Sequence, residues 1–357
     1  MAEPAFTTKF FLIVNPGLEE LALSELKRSL PECEKIKKEL GGIEFETEIF
    51  RGLELNSKLK IPSRILLRVD DFKASDFPKL FKKMLKISWK DLLHSDTPLR
   101  FEVSSETSRL AIKKRIEDTS EEAIQKYFRT VKKEKAVKHL GPKKIPDEQR
   151  IFLRFVDDIC TVSIDTSGEH LHKRGYRKLI GEAPLRENLA SALLTALFEK
   201  MPRGDQTQLE LVDPMMGSGT FLLEAYHYFS GSELRNYRYQ DWPYVLKNLL
   251  PSEVVASEPN ASQQPILNTK SLNGFDQDGV SVQIASENFK VLQGGHSSKE
   301  FPQVETLAKN LFAKDFKCER SKFTRVLICN PPYGKRLKIE GKISDYYSKL
   351  FLSVNKS

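Results

Sequence analysis

Two short stretches combine residue types that could do chemistry. In the first, an apolar run from Leu209 to Val212 ends at Asp213, and Pro-Met-Met-Gly217-Ser-Gly219-Thr220 follows before the apolar face of a helix begins. That order spells a strand, a tight turn and a helix N-terminus, the unit that opens a nucleotide-binding α/β sheet. Gly217 and Gly219 let the backbone come close to a ligand, because no Cβ intervenes. The first helical turn offers unpaired N–H groups and partial positive charge, which suits a carboxylate. A sharp turn that needs glycine only for its geometry would show the same pattern.

The second stretch is Val326-Leu-Ile-Cys-Asn330-Pro331-Pro332-Tyr333-Gly. A buried strand ends here in two prolines, which forbid helix and hold the backbone extended. Carbonyls without competing N–H donors then lie between an amide side chain and an aromatic ring. An exocyclic amine on a base needs such surroundings: acceptors for its two hydrogens and a π-face for its ring.

These residues must be positioned by the rest of the chain. Lys9–Val14, Ile43–Thr47, Ile61–Val69, Leu99–Ser104, Arg150–Val156 and 159–167 read as strands by apolar content or alternation. Leu18–Leu30 and Phe77–Ile87 read as amphipathic helices, with Leu21, Leu23 and Leu26 inward in the first. Residues 109–154 are strongly basic, with Lys113, Lys114, Arg115, Lys132 and Lys133 among apolar Ile112, Ile116, Ile124 and Tyr127. One face of such a helix would pack and the other would meet solvent or phosphates. Pro184 opens a helix buried through Leu189, Leu193 and Leu197, and Trp242 in an aromatic segment reads as packing.

Composition bounds the rest. The 357 residues suggest two domains, and a net charge of +8 permits a polyanionic partner. No apolar run approaches a membrane span, and the first residues lack a signal-peptide pattern. Cys33, Cys160, Cys318 and Cys329 form no paired spacing, and the six histidines show no ligand set. A cytoplasmic protein without a metal, and with no membrane partner, is therefore expected.

Asp213-Pro-Met-Met-Gly-Ser-Gly-Thr together with Asn330-Pro-Pro-Tyr resembles the S-adenosylmethionine-dependent amino-methyltransferases of adenine N6 or guanine N2. Asn15-Pro-Gly-Leu-Glu-Glu, Pro62-Ser-Arg-Ile-Leu-Leu-Arg and Trp89 are similar to the ferredoxin-like leader and THUMP domain of RNA methyltransferases. Leu171-His-Lys-Arg-Gly-Tyr-Arg177 and Ala183-Pro184-Leu185-Arg narrow the likeness to bacterial large-subunit (23S) rRNA guanine-N2 methyltransferases. The resemblance implies an α/β chain: a ferredoxin-like region (1–60), a THUMP domain (61–168) and a Rossmann-like class I methyltransferase domain (169–357). That last domain is expected to be C-terminally truncated, because one helix alone follows Tyr333 where further strands usually come.

By the same resemblance, Pro184, Leu185, Asp213, Gly217, Gly219 and Thr220 hold S-adenosylmethionine. Asp276 binds its ribose, with Glu258 as runner-up, and Asp315, at the end of a third strand near Phe312, meets the adenine amine. Asn330, Pro331, Pro332 and Tyr333 take the target amine. Lys113, Lys114, Arg115, Lys132, Lys133, Arg174 and Arg177 face RNA. The implied reaction is methylation of guanosine N2 in 23S rRNA. A tRNA guanine-N2 enzyme, a DNA adenine methyltransferase and a non-catalytic RNA-binding assembly factor are the alternatives.

Overall fold

The computed structural model describes residues 7–131, 148–179, 185–201, 208–230, 234–248, 268–294, 302–312, 323–331 and 342–354. The chain forms two compact units: one from 1–171 with 235–258, the other from 172–234 with 259–357.

The first unit runs β1 (Thr7–Ile13), α1 (Glu19–Ser29), β2 (Glu34–Glu39), β3 (Gly42–Glu48), α2 (Ile49–Lys58), β4 (Arg64–Lys73), α3 (Phe77–Met84), α4 (Trp89–Leu92), β5 (Leu99–Glu106), α5 (Lys113–Thr130), β6 (Gln149–Val156) and β7 (Ile159–Asp165). Its seven strands make one sheet in the order β2-β3-β1-β4-β7-β6-β5. Phe10 and Leu12 of β1 point inward on alternate positions, and Phe10 stacks on Phe45 of β3 at 5.7 Å. Burying each such side chain contributes about 1.5–3 kcal/mol.

Several expectations need correction here. A boundary at 60/61 does not divide this unit, because β1 pairs with β4 from Phe10–Leu67 to Ile13–Arg64 and carries the sheet across it. Two elements were not legible. β2 reads Glu-Lys-Ile-Lys-Lys-Glu, the charged composition that protects a sheet edge. α2 contains Gly52, a poor helix residue, yet a Cβ there would lie 2.1 Å from the Phe10 ring. In α1 Leu26 is buried as expected, but Ala22 and Glu25 join it inside while Leu21 and Leu23 are half-buried. Glu25 is inside because it accepts the Lys60 and Ile61 N–H groups at 2.7 and 3.0 Å.

Residues 235–248 also belong to this unit, although 169–357 was expected to be one domain. They form a short 3-10 turn (Arg238–Asp241) and α8 (Pro243–Asn248). Trp242 is 1% exposed, and its indole N–H donates to Gln149 at 3.0 Å. Arg235 donates to the carbonyls of Ser167, Glu169 and His170.

The second unit contains α6 (Glu187–Lys200), β8 (Gln208–Asp213), α7 (Thr220–Ser230), β9 (Asn268–Asp276), α9 (Gly279–Gln293), β10 (Gln303–Ala308), β11 (Thr324–Leu327) and α10 (Ile343–Val354). Its four strands are all parallel, in the order β10-β9-β8-β11. Strand order therefore reverses at β8, which puts a topological switch point at the glycine turn. Leu211, Leu222, Leu272, Ala285 and Phe289 are core residues of this unit. The buried face of α6 is Glu187, Ala190, Ser191, Leu194 and Phe198, one step from the expected leucine stripe, and Leu193 is 51% exposed. Polar residues are inside because partners wait there for them.

Candidate active site

β8 delivers Asp213 to the C-terminal edge of the sheet, where the chain turns through Gly217 (φ 53°) and Gly219 (φ 78°). The two glycines serve different ends. A Cβ on Gly219 would stand 3.1 Å from the Ala285 Cβ, so this residue lets α7 pack closely on α9. A Cβ on Gly217 would meet nothing within 4 Å, so its backbone faces open space. Asp276 ends the neighbouring strand and accepts the Gly217 N–H at 2.9 Å, while its other oxygen accepts the Asp278 N–H at 2.9 Å. The acid on β9 thus braces the glycine turn on β8.

Asp213 is 1% exposed and accepts the Met215 N–H at 3.1 Å. Burial pushes its carboxyl up to about 8, against the Met215 hydrogen bond and with help from the Asp276 charge. On the other side of β8, β11 leads to Asn330 and Pro331, and Ile328 N–H donates to the Val212 carbonyl at 2.9 Å. The strand that leads to Asn330 therefore lies next to the strand that ends at Asp213. Pro332 and Tyr333 lie outside the described residues.

An open cavity of about 540 Å³ lies at the ends of β9 and β10, lined by Gln277, Asp278, Ala308, Lys309 and Asn310. Sequence reasoning missed it, because the third strand end was expected near Phe312–Asp315. β10 ends at Ala308 instead, paired across from Asp276, and the Lys309 N–H donates to the Asp276 carbonyl at 2.8 Å. Asp315, Pro184 and Glu258 lie outside the described residues. Leu185 is half-buried immediately before α6.

The segment 172–179 departs most from expectation. Arg174 is 6% exposed and pairs with Glu224 of α7 at 3.2 Å. Tyr176 donates to the same carboxylate at 2.5 Å, and Ser191 of α6 donates to it as well. Burial opposes the charge on Glu224, but Arg174, His227, Ser191 and Tyr176 outweigh it and bring the group down to about 2. Arg174 is thus an internal counter-ion and cannot meet RNA phosphates. Arg177 also turns inward: it donates to Thr220 Oγ1 at 2.6 Å and pairs with Glu187 at 3.1 Å. Asn288 of α9 secures the segment by accepting the Lys178 and Leu179 N–H groups at 2.9 and 3.2 Å. One signal was available: Glu224 interrupts an apolar helix, Thr-Phe-Leu-Leu-Glu-Ala-Tyr, and a buried acid requires a cation.

In the first unit, Lys113, Lys114 and Arg115 are exposed in the first turn of α5, which holds no acid. Cations there oppose the helix dipole, so helix stability does not account for them. Arg115 lies over the Phe77 ring at 4.1 Å, and Lys114 pairs with Asp118 at 2.8 Å. Lys132 and Lys133 lie outside the described residues. Among the described residues, no group of His, Cys, Asp and Glu could hold a metal, and no helix is long and apolar enough to cross a membrane.

A parallel sheet reversing at a glycine turn, with an acid on the next strand and Asn-Pro beside it, defines a nucleotide-cofactor enzyme of the open α/β class. The model of the RMKL-like methyltransferase domain matches residues 174–357, and the chain belongs to that family. It is 29% identical to slr0064 of Synechocystis sp., a provisionally named RNA methyltransferase, over 97% of this chain and 85% of that protein. It is 30% identical to the ribosomal RNA large subunit methyltransferase K/L of Desulfotalea psychrophila over 93% of this chain. There it spans 44% of the relative's length. The crystal structure of SMU.472, a provisionally assigned methyltransferase complexed with SAH, superimposes with a TM-score of 0.67. That match is 26% identical and covers 98% of this chain and 86% of the other.

S-adenosylmethionine is the cofactor of this methyltransferase family, and the residues present fit it. Gly217 leaves open space, Asp276 keeps lone pairs for hydroxyl donors, and α7 presents its N-terminus. When bound, the cofactor supplies an electrophilic methyl group on a sulfonium.

Proposed function

We propose that the chain methylates the exocyclic N2 amine of a guanosine in large-subunit rRNA. The observation that supports this most is the pairing of β11 with β8, which brings Asn330 and Pro331 beside the cofactor turn. The names of the K/L relatives support the choice of rRNA. In this reading the first unit is a ferredoxin-like region joined to a THUMP module, and the α5 cations contact RNA phosphates.

An aromatic amine is a poor nucleophile, because its lone pair is delocalised into the ring. Asn330 Oδ1 and the Pro331 carbonyl accept its hydrogens and stabilise the positive charge that develops on nitrogen. Tyr333 stacks on the displaced base. Asp276 holds the ribose hydroxyls, and the cavity at Asp278, Lys309 and Asn310 takes the base of the cofactor. Alignment of amine and methyl supplies much of the rate. No strong base is required, since the amine proton becomes acidic as the new bond forms.

A tRNA guanine-N2 activity is the second reading. Arg174 and Arg177 are engaged by Glu224 and Glu187, which leaves Lys173 as the exposed cation of the Lys173-Arg-Gly-Tyr-Arg177 motif and weakens its support for rRNA. Transfer of label from S-adenosylmethionine to unmodified rRNA and tRNA, with the nucleoside identified by mass spectrometry, separates the two. N2-methylguanosine in large-subunit rRNA supports the proposal, and label confined to tRNA replaces it. N6-methyladenine in duplex DNA would overturn both. RNA binding without any transfer would favour the assembly-factor alternative.

A further inference from the structure

Arg177 was expected at the RNA surface, yet its guanidinium lies between the entry to α6 and the first residue of α7. Nη2 donates to Thr220 Oγ1 at 2.6 Å, Nη1 pairs with Glu187 at 3.1 Å, and both reach the Leu185 carbonyl at 3.5 Å. Leu185 and Glu187 form the entry to α6, and Thr220 is the first residue of α7. An ion pair with Glu187 alone would not need the Thr220 contact. Burial raises the Glu187 carboxyl above the usual range, and Arg177 opposes that shift.

The hydroxyl of Thr220 shows what the contact does. Thr220 is 5% exposed, and its oxygen accepts from Arg177, so its hydrogen must point away from the guanidinium. Among the described residues it donates to nothing. It sits directly after Gly219, where the N–H groups of the first helical turn also lack intrahelical acceptors. A hydroxyl that accepts from a cation is a stronger donor, because hydrogen bonds in a chain polarise one another. A donor so prepared, beside a helix N-terminus and with a guanidinium behind it, suits a carboxylate.

We propose that Arg177 is a positioning residue: through Thr220 Oγ1 it orients and polarises the hydroxyl that receives the carboxylate of the cofactor's amino-acid end. This rests on the cofactor site described above. Arg177 does not touch the ligand itself, and the adenosine end lies beyond its influence, at Asp276 and the cavity past β9.

The test compares two ligands by calorimetric titration of the full chain. S-adenosylhomocysteine carries the amino-acid end, whereas 5′-methylthioadenosine keeps the adenosine and the thioether but lacks it. Arg177→Met should weaken S-adenosylhomocysteine about tenfold, as expected for loss of a charge-assisted hydrogen bond, and leave 5′-methylthioadenosine within about twofold. Thr220→Val should do the same, and the double variant should be no worse than either alone. Arg177→Lys should recover part of the loss, and Glu187→Gln should bind as the natural chain does. Unchanged binding of 5′-methylthioadenosine also certifies that each variant is folded. Equal weakening of both ligands by Arg177→Met, or multiplicative losses in the double variant, would overturn the proposal. A natural chain that gains nothing from the amino-acid end overturns it while sparing the adenosine site; binding of neither ligand overturns both.

Discussion

Asp213→Asn should make the second unit less sensitive to rising pH. Burial lifts the Asp213 carboxyl from 3.8 to about 8, so the folded chain holds a proton there that the unfolded chain releases near pH 4. Between those values the folded state binds more protons than the unfolded one, and stability falls as pH rises. The contribution is fully present below about pH 4 and is lost as pH climbs to about 8. Four pH units at about 1.4 kcal/mol each set a ceiling of about 6 kcal/mol, and relaxation around a buried acid reduces it. A third of that ceiling, about 2 kcal/mol, corresponds to a shift of roughly 4–8 °C for a unit of this size. Asparagine keeps the side-chain oxygen that accepts the Met215 N–H at 3.1 Å and cannot ionise. Asp165, raised to about 6 by burial against the pull of Arg64, contributes in the same direction, but it is present in both proteins and cancels. Thermal melts by far-UV circular dichroism at pH 5 and pH 8 would measure the difference. Both tryptophans, Trp89 and Trp242, lie in the first unit, so their fluorescence supplies an internal control that should not respond. An equal loss of melting temperature in the two proteins, or a larger one in Asp213→Asn, would refute the reasoning.

Further outcomes are expected elsewhere. Arg174→Met leaves Glu224 charged and buried, and should cost about 3–5 kcal/mol in urea denaturation, whereas an RNA-surface role would leave stability untouched. Gly219→Ala should destabilise by about 1–3 kcal/mol, because it combines φ 78° with a Cβ contact of 3.1 Å to Ala285. Gly217→Ala faces open space and should chiefly weaken S-adenosylhomocysteine in a titration, with a stability cost of about 1 kcal/mol. Asn330→Ala should remove methyl transfer in the labelling assay while binding S-adenosylhomocysteine as the natural chain does. Lys113→Glu combined with Lys114→Glu should lower the salt dependence of RNA affinity by about one unit of slope per lysine in a filter-binding series.

The catalytic half was legible because its geometry is written in residues with few other uses. Glycine at 217 and 219 and the prolines after Asn330 restrict the backbone, and their spacing from apolar runs identifies the strands they end. Strand boundaries were harder where no such residue marks them. β10 ends at Ala308, and no backbone rule distinguishes the following Lys309-Asn310 from Leu311-Phe312, so the third strand end was expected too late. Register against Asp276 decides it, and register is a tertiary fact. The same holds for β2 and α2: a charged edge strand and a helix with a central glycine contradict local propensity. β2 is stabilised by its pairing with β3, and α2 by the close approach of Gly52 to Phe10.

The basic motif at 172–177 shows why charge is a poor guide to surface when buried acids are present. Arg174 and Tyr176 point one way along an irregular segment and converge on Glu224, while Gly175 at φ 98° brings the backbone against Leu234, where a Cβ would stand 2.8 Å from the carbonyl. Arg177 takes the other polar helix end, at Thr220 and Glu187. Each arginine therefore answers a carboxylate that α6 or α7 carries inward, and the two helices flank the cofactor turn. Such a network gains little net stability over an apolar core, since desolvation consumes much of the attraction. What it gains is definition: α6, α7 and the segment before them share hydrogen bonds of fixed direction, where leucine packing would allow sliding. A turn that, in the proposed reading, holds a carboxylate and a ribose needs that definition more than it needs stability. In that reading the buried pair of Arg174 and Glu224 serves the site by fixing the segment at 172–177 against α7.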